Sequence, residues 1–239
     1  MFGNFRLIDL SVPLEHQAVS EPLPAQIRYV RHDEGLRQMQ QFFGVRPEDL
    51  VYSGGLGWAV EEVQAITHTG THVDAPYHYA ATSEGKPART IDQVPLEWCF
   101  APGVVLDLRH KQARELVTIA DLETALQKIN YRLRPFDIVL LQTGADKRLH
   151  SPEYFAQPGL GREGVLWLVE QGVRVIGIDA YTLDRPFANM VADYRRTGDG
   201  RHIWPAHFAR CPRSAPARCA AHRRCAGSRR PCWRMAGPT

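Results

Sequence analysis

The sequence predicts an α/β protein. Three short runs, 103–108, 137–142 and 173–179, are dense in Val, Ile and Leu, and two amphipathic segments, 118–129 and 162–171, lie between them. Strand, helix, strand, helix, strand is the order that builds a sheet with helices packed on it.

Taken along the chain, residues 6–12 (RLIDLSV) read as a first strand and residues 61–67 (EEVQAIT) as a second. The stretch 15–58 shows scattered aromatics (Tyr29, Phe42, Phe43, Tyr52, Trp58) without clean periodicity. It admits two readings, a pocket-forming insertion or ordinary core and interface residues. In 118–129 (TIADLETALQKI), Thr118 is placed to cap a helix, and Ile119, Leu122, Leu126 and Ile129 fall on one face. The second helix, 162–171, stops at Gly172, which supplies a left-handed C-terminal cap.

Composition sets the outer limits. With 44% hydrophobic and 23% charged residues among 239, the chain is globular and neither disordered nor a small disulfide scaffold. Its longest apolar runs, 138–141 and 165–169, fall far short of the ~20 residues of a membrane span. The start, MFGNFRLIDLSVPL, lacks a basic segment followed by a sustained apolar run, so a soluble cytoplasmic protein is expected.

The net charge of +3 averages two unlike parts, a body (1–208) of −5 and a tail (209–239) of +8 that carries eight Arg and no acidic residue. Four of the five cysteines (Cys211, Cys219, Cys225, Cys232) also lie in the tail, which has no Val, Ile, Leu, Phe or Tyr. Such a segment cannot fold alone, so one domain, 1–208, and an aberrant Arg/Cys/Pro-rich tail are expected. An Arg-rich nucleic-acid arm, or a zinc site using these cysteines and His222, is weakly signalled: there is no CxxC pair and no aromatic interleaving. The Ala, Arg, Pro, Gly and Cys bias is what GC-rich DNA yields when read out of frame, and a frameshifted end is the reading adopted.

The most informative segment is HTGTHVDAPYH, 68–78, which holds three of the ten histidines and an aspartate. His68 and His72 are four apart, the spacing at which one helical turn points both the same way, and Asp74 can reach the same ion from a turn or extended segment. Two neutral imidazoles and a carboxylate suit a borderline divalent ion, Zn²⁺ or Mn²⁺. Three protein ligands leave positions open for water and substrate. Gly70 and Pro76 interrupt regular helix, placing the motif on a loop or helix edge. His78, just beyond the ligands, is placed to take a proton from an activated water and give it to a leaving nitrogen.

This motif resembles the signature of the cyclase family of metal-dependent hydrolases, which includes kynurenine formamidases and isatin hydrolases. IDLSVPL, IDQVPLE, GVVLDL, DIVLLQTG, GIDAYTLDRPF and WPAHF resemble further family blocks in family order, across 1–208. The resemblance implies the swivelling β/β/α fold, incomplete here at its C-terminal end, and a homodimer or higher oligomer. It implies that His68, His72 and Asp74 bind metal, that His78 is the catalytic acid/base, and that His207 binds a second ion in two-metal members. Their glutamate ligand, twelve residues further on, falls at Cys219 in the tail, which departs from the pattern.

The expected function is hydrolysis of an aryl formamide such as N-formylkynurenine, or of a cyclic amide such as isatin, by metal-activated water. The partner is then a small-molecule amide or formamide, with no nucleic acid and no membrane. Alternatives are an inactive or truncated family member and, behind it, an Arg-rich nucleic-acid-binding protein. Asp179 and Asp184 follow an apolar strand and fit either ligand or turn roles, while Cys99, beside Trp98 and Phe100, reads as a buried small hydrophobe.

Overall fold

The computed structural model describes residues 6–83, 85–203 and 205, which fall into two units, Met1–His72 and Val73–Thr239. His207 and the whole tail, 209–239, lie outside the described residues.

In the first unit, β1 (Gln26–Val30) pairs antiparallel with β2 (Val60–Gln64), Gln26 opposite Gln64 and Val30 opposite Val60. Between them runs α1 (His32–Phe43), with Asp33 and Glu34 at its positive end and Gly44 closing it in the left-handed conformation. Its backbone lies directly on the chain at residues 57–58: a Cβ on Gly35 would sit 1.8 Å from the Trp58 carbonyl oxygen, so only glycine allows this approach. Trp58 also donates its indole N–H to Gln38 and stands edge-on to Phe43 with centroids 5.8 Å apart.

Residues 6–12 form no strand, which corrects the sequence expectation. Their backbone is engaged by side chains, Ser11 N–H donating to the Asp9 carboxylate and Val12 N–H to the Thr71 hydroxyl. Side-chain acceptors here compete successfully with a strand ladder. Leu7 is 95% exposed, so the alternation that suggested a half-buried strand buries nothing.

The second unit opens with the single-turn helix α2 (Pro76–Tyr79) and a small antiparallel pair, β3 (Thr82–Ser83) and β4 (Lys86–Pro87). The main sheet is parallel, in the order β5 (Gly103–Asp107), then β7 (Ile138–Gln142), then β9 (Val175–Ile178). The crossovers carry β6 (Leu116–Val117) with α3 (Ile119–Lys128), and β8 (Gly159–Leu160) with α4 (Arg162–Glu170), while β6 and β8 pair parallel. A last helix, α5, spans Phe187–Thr197.

The α/β expectation holds, and the predicted apolar runs are the three strands of the parallel sheet. Val104 and Leu106 of β5 alternate inward with Val139 and Leu141 of β7, and they meet Leu122 and Leu126 of α3 and Val165 and Leu168 of α4 in one buried cluster. Each fully buried Leu contributes on the order of 2 kcal/mol. Helix α3 begins where its sequence predicts. The Thr118 hydroxyl accepts from Asp121 N–H, and the Asp121 carboxylate accepts from Thr118 N–H, a reciprocal cap.

Among the described residues no helix is long and apolar enough to cross a membrane. The aromatics of 15–58 are mostly outward, with Tyr29 and Tyr52 exposed and Phe42 and Phe43 each 63% exposed. Cys99 is exposed rather than buried, a second correction: neighbouring Trp98 turns inward while Phe100 and Cys99 face out.

Candidate metal centre

The motif follows β2 on irregular backbone and runs into α2, a loop and helix edge as its Gly and Pro predict. Ile66 carbonyl accepts from Thr69 N–H, making the turn that carries His68. Gly70 follows at φ +66°, a left-handed conformation that a side chain would strain, and its N–H donates to Glu21 Oε1. The reversal brings His72 back toward His68: Nδ1 of His68 and Nε2 of His72 lie 3.3 Å apart, with the rings edge to face. His72 Nδ1 lies 2.8 Å from the Gly70 carbonyl oxygen, a contact that orients the ring with Nε2 toward His68.

Asp74 sits just before α2, next to Ala75, whose extended backbone leads into the turn. Pro76 occupies the first position of that turn, where its fixed φ and missing N–H cost nothing. His78 N–H donates to the Ala75 carbonyl and Tyr77 N–H to the Arg89 carbonyl, tying the turn down on both sides. The result is a donor cluster. One ligand atom from each of His68, Asp74 and His78 lies within 4.8 Å of the others.

The chemistry of this donor set fits a divalent ion. Ligand atoms ~2.1 Å from a tetrahedral zinc stand ~3.4 Å apart, so a separation within 4.8 Å is somewhat wider than a metal-bound set. Two imidazoles with one carboxylate make a mixed nitrogen/oxygen donor set, unlike the all-oxygen sites of calcium and magnesium. His68 and Asp74 are half-buried and His78 is exposed. His72 stands beside His68 and not in the three-way cluster itself.

Sequence reasoning missed Tyr79. Its hydroxyl donates to Asp74 Oδ2 at 3.1 Å, and its ring stands edge-on to His78 at 4.9 Å. Burial first, then the charge of Asp74 and its hydrogen bond, and the charge of Asp184, push the phenol pKa well above its ordinary value, so it remains a donor. The available signal was a polar aromatic directly following the last histidine of the motif.

Asp179 has a structural place. Its Oδ1 accepts from Thr143 N–H and hydroxyl at 2.8 and 2.7 Å, and its Oδ2 accepts from Gly144 N–H at 2.7 Å, joining the carboxyl ends of β7 and β9. Asp184 is buried, 4% exposed, on the loop before α5.

Comparison with known proteins agrees with this architecture. The profile of the family described as "Putative cyclase" matches residues 8–185. A kynurenine formamidase of Bacillus cereus is 26% identical over 147 residues, 58% of this chain and 63% of that protein. The chain therefore spans less than two thirds of that relative's length. The kynurenine formamidase of Geobacillus thermodenitrificans is 30% identical over 157 residues, 62% of this chain and 68% of that protein. Among solved structures, isatin hydrolase A from Labrenzia aggregata, bound to benzyl benzoate, superposes with a TM-score of 0.61 at 19% identity, over 84% of this chain and 73% of that one. At that identity the likeness establishes the fold. With a profile match that runs from the N-terminal segment through the parallel sheet and encloses the His/Asp cluster, the chain belongs to the cyclase family.

Proposed function

We propose that this chain is a metal-dependent hydrolase that cleaves the carbon–nitrogen bond of an amide. The observation that carries the reading is the convergence of His68, Asp74 and His78 within 4.8 Å on the HTGTHVDAPYH segment. His68, His72 and Asp74 hold one zinc or manganese ion, and His207 is the ligand reserved for a second. The two curated relatives named kynurenine formamidase support an aryl formamide of the N-formylkynurenine type as substrate, and the isatin hydrolase fold makes a cyclic amide the next choice. A homodimer in the cytoplasm completes the proposal.

A divalent ion in this cluster supplies Lewis-acid polarisation of the amide carbonyl and lowers the pKa of water toward neutrality. The chain's own residues supply the rest. The contact of His72 Nδ1 with the Gly70 carbonyl presets the ring before any ligand arrives. The Asp74 carboxylate offsets cationic charge at the centre. His78, exposed at the edge of the cluster, accepts the proton of the attacking water and delivers it to the departing aryl nitrogen, so that formamide and water become formate and amine.

One observation favours a second reading of His78: its ring nitrogen lies in the three-way cluster, close enough to ligate the ion itself. A single experiment separates the two. His78→Ala, assayed for kynurenine release from N-formylkynurenine and for bound metal, is expected to lose turnover by ~10²-fold or more with metal content intact. Full activity refutes the acid/base role, and loss of activity together with metal makes His78 a ligand.

A further inference from the structure

We infer that Tyr79 is a positioning residue for the metal centre, holding the Asp74 carboxylate in the orientation that meets the ion. The inference rests on the metal-hydrolase reading and extends it to a residue outside the ligand set. A carboxylate ligand is a free rotor about its Cβ–Cγ bond unless another group fixes its plane, and a donor on one oxygen does so. Tyr79 is such a donor: its hydroxyl is 3.1 Å from Asp74 Oδ2.

The donor itself is firmly placed. Tyr79 is the last residue of a single turn started by Pro76, closed by Ala80 N–H donating to the Pro76 carbonyl and tied down by Tyr77 N–H donating to the Arg89 carbonyl. Its ring is half-buried and stands against the His78 ring, so one side chain touches two members of the cluster, one through its hydroxyl and the other through its ring edge. Phe at this position keeps the ring packing and removes only the hydroxyl.

The fold contains its own control. Tyr131 makes the same kind of bond, its hydroxyl donating to Asp137 Oδ2 at 2.9 Å, in the second unit and to a carboxylate that is not a proposed ligand. A general cost of losing a Tyr–Asp hydrogen bond would appear in both variants, whereas a positioning role would appear in one.

The test is a titration of the full chain, stripped of metal, with Co²⁺ followed by its visible absorption, alongside thermal melts of the metal-free proteins. Tyr79→Phe is expected to weaken Co²⁺ binding 10- to 100-fold and to shift the absorption bands, the usual effect of losing a partner behind a ligand. Tyr131→Phe is expected to bind Co²⁺ within twofold of the parent while melting earlier. A Tyr79→Phe protein that binds like the parent with superimposable bands overturns the positioning role and leaves the metal reading standing. One that already melts far below the parent without metal also overturns it, because the hydroxyl would then be structural. A parent chain that takes up no Co²⁺ overturns both.

Discussion

Asp179→Asn separates architecture from chemistry at the sheet's carboxyl end. Its carboxylate accepts three hydrogen bonds of 2.7–2.8 Å, from Thr143 N–H, the Thr143 hydroxyl and Gly144 N–H. An Asn side chain fits the same space and can keep its oxygen toward Thr143, but its NH₂ then faces Gly144 N–H, donor against donor. One charge-assisted bond is lost, at about 1.5–3 kcal/mol, and the two that remain lose the charge that strengthened them. Thr143 is buried, 5% exposed, and Gly144 and Asp179 are half-buried, so solvent makes good only part of what is lost. The expected cost is ~3 kcal/mol in all, which at a urea m-value of ~3 kcal/mol/M moves the unfolding midpoint down by ~1 M. Equilibrium urea unfolding followed by far-UV circular dichroism reads this directly, with metal content measured on the same samples. A midpoint within ~0.3 M of the parent would refute the structural role. Loss of bound metal with little loss of stability would make Asp179 a ligand instead.

Two further predictions address the scaffold. Leu168→Ala removes a fully buried side chain from the face of α4 on the sheet and is expected to cost ~3–4 kcal/mol in urea unfolding. Thr118→Ala is expected to cost ~1 kcal/mol by uncapping α3, with a pH dependence that follows from Asp121. Burial raises the Asp121 pKa, but hydrogen bonds from Thr118, Lys111 and His110 outweigh it and hold the carboxyl well below its ordinary value. A folded-state pKa depressed in this way stabilises the fold above the ordinary carboxylate pKa of ~4 and loses that contribution as pH falls below it. The melting difference between the parent and Thr118→Ala is therefore expected to shrink between pH 5 and pH 3, and a constant difference would contradict the cap.

The parallel sheet was legible because strands covered by helices read as apolar runs, as 138–142 does, and α3 was legible because its cap and apolar face occur together in one short stretch. Helix α1 was not, since Gly35 interrupts it and Gly35 is its sole buried residue, yet Asp33 and Glu34 at its start and Gly44 at its end mark its limits. Helix α5 escaped for the same reason, burying Met190 alone, with Pro186 and Gly198 as its punctuation. Residues 6–12 misled because alternation reports what a segment could bury, and here a Thr71 hydroxyl and an Asp9 carboxylate take the backbone donors. At the site, residue type and spacing singled out His68, His72, Asp74 and His78 as candidates, of which His68, Asp74 and His78 come together in the structure. The bond between Tyr79 and Asp74 was invisible to type and spacing, because it depends on how tightly α2 turns back after Pro76.

The most direct test of the metal-hydrolase reading is elemental analysis of the full chain purified without chelators or a metal-binding tag, paired with the His68→Ala variant. The account predicts one equivalent of zinc or manganese per chain in the parent, or two if the second site assigned to His207 is filled, with loss of metal and of N-formylkynurenine hydrolysis in His68→Ala. A parent chain that carries no metal, takes up none when it is supplied and does not hydrolyse the formamide would contradict it.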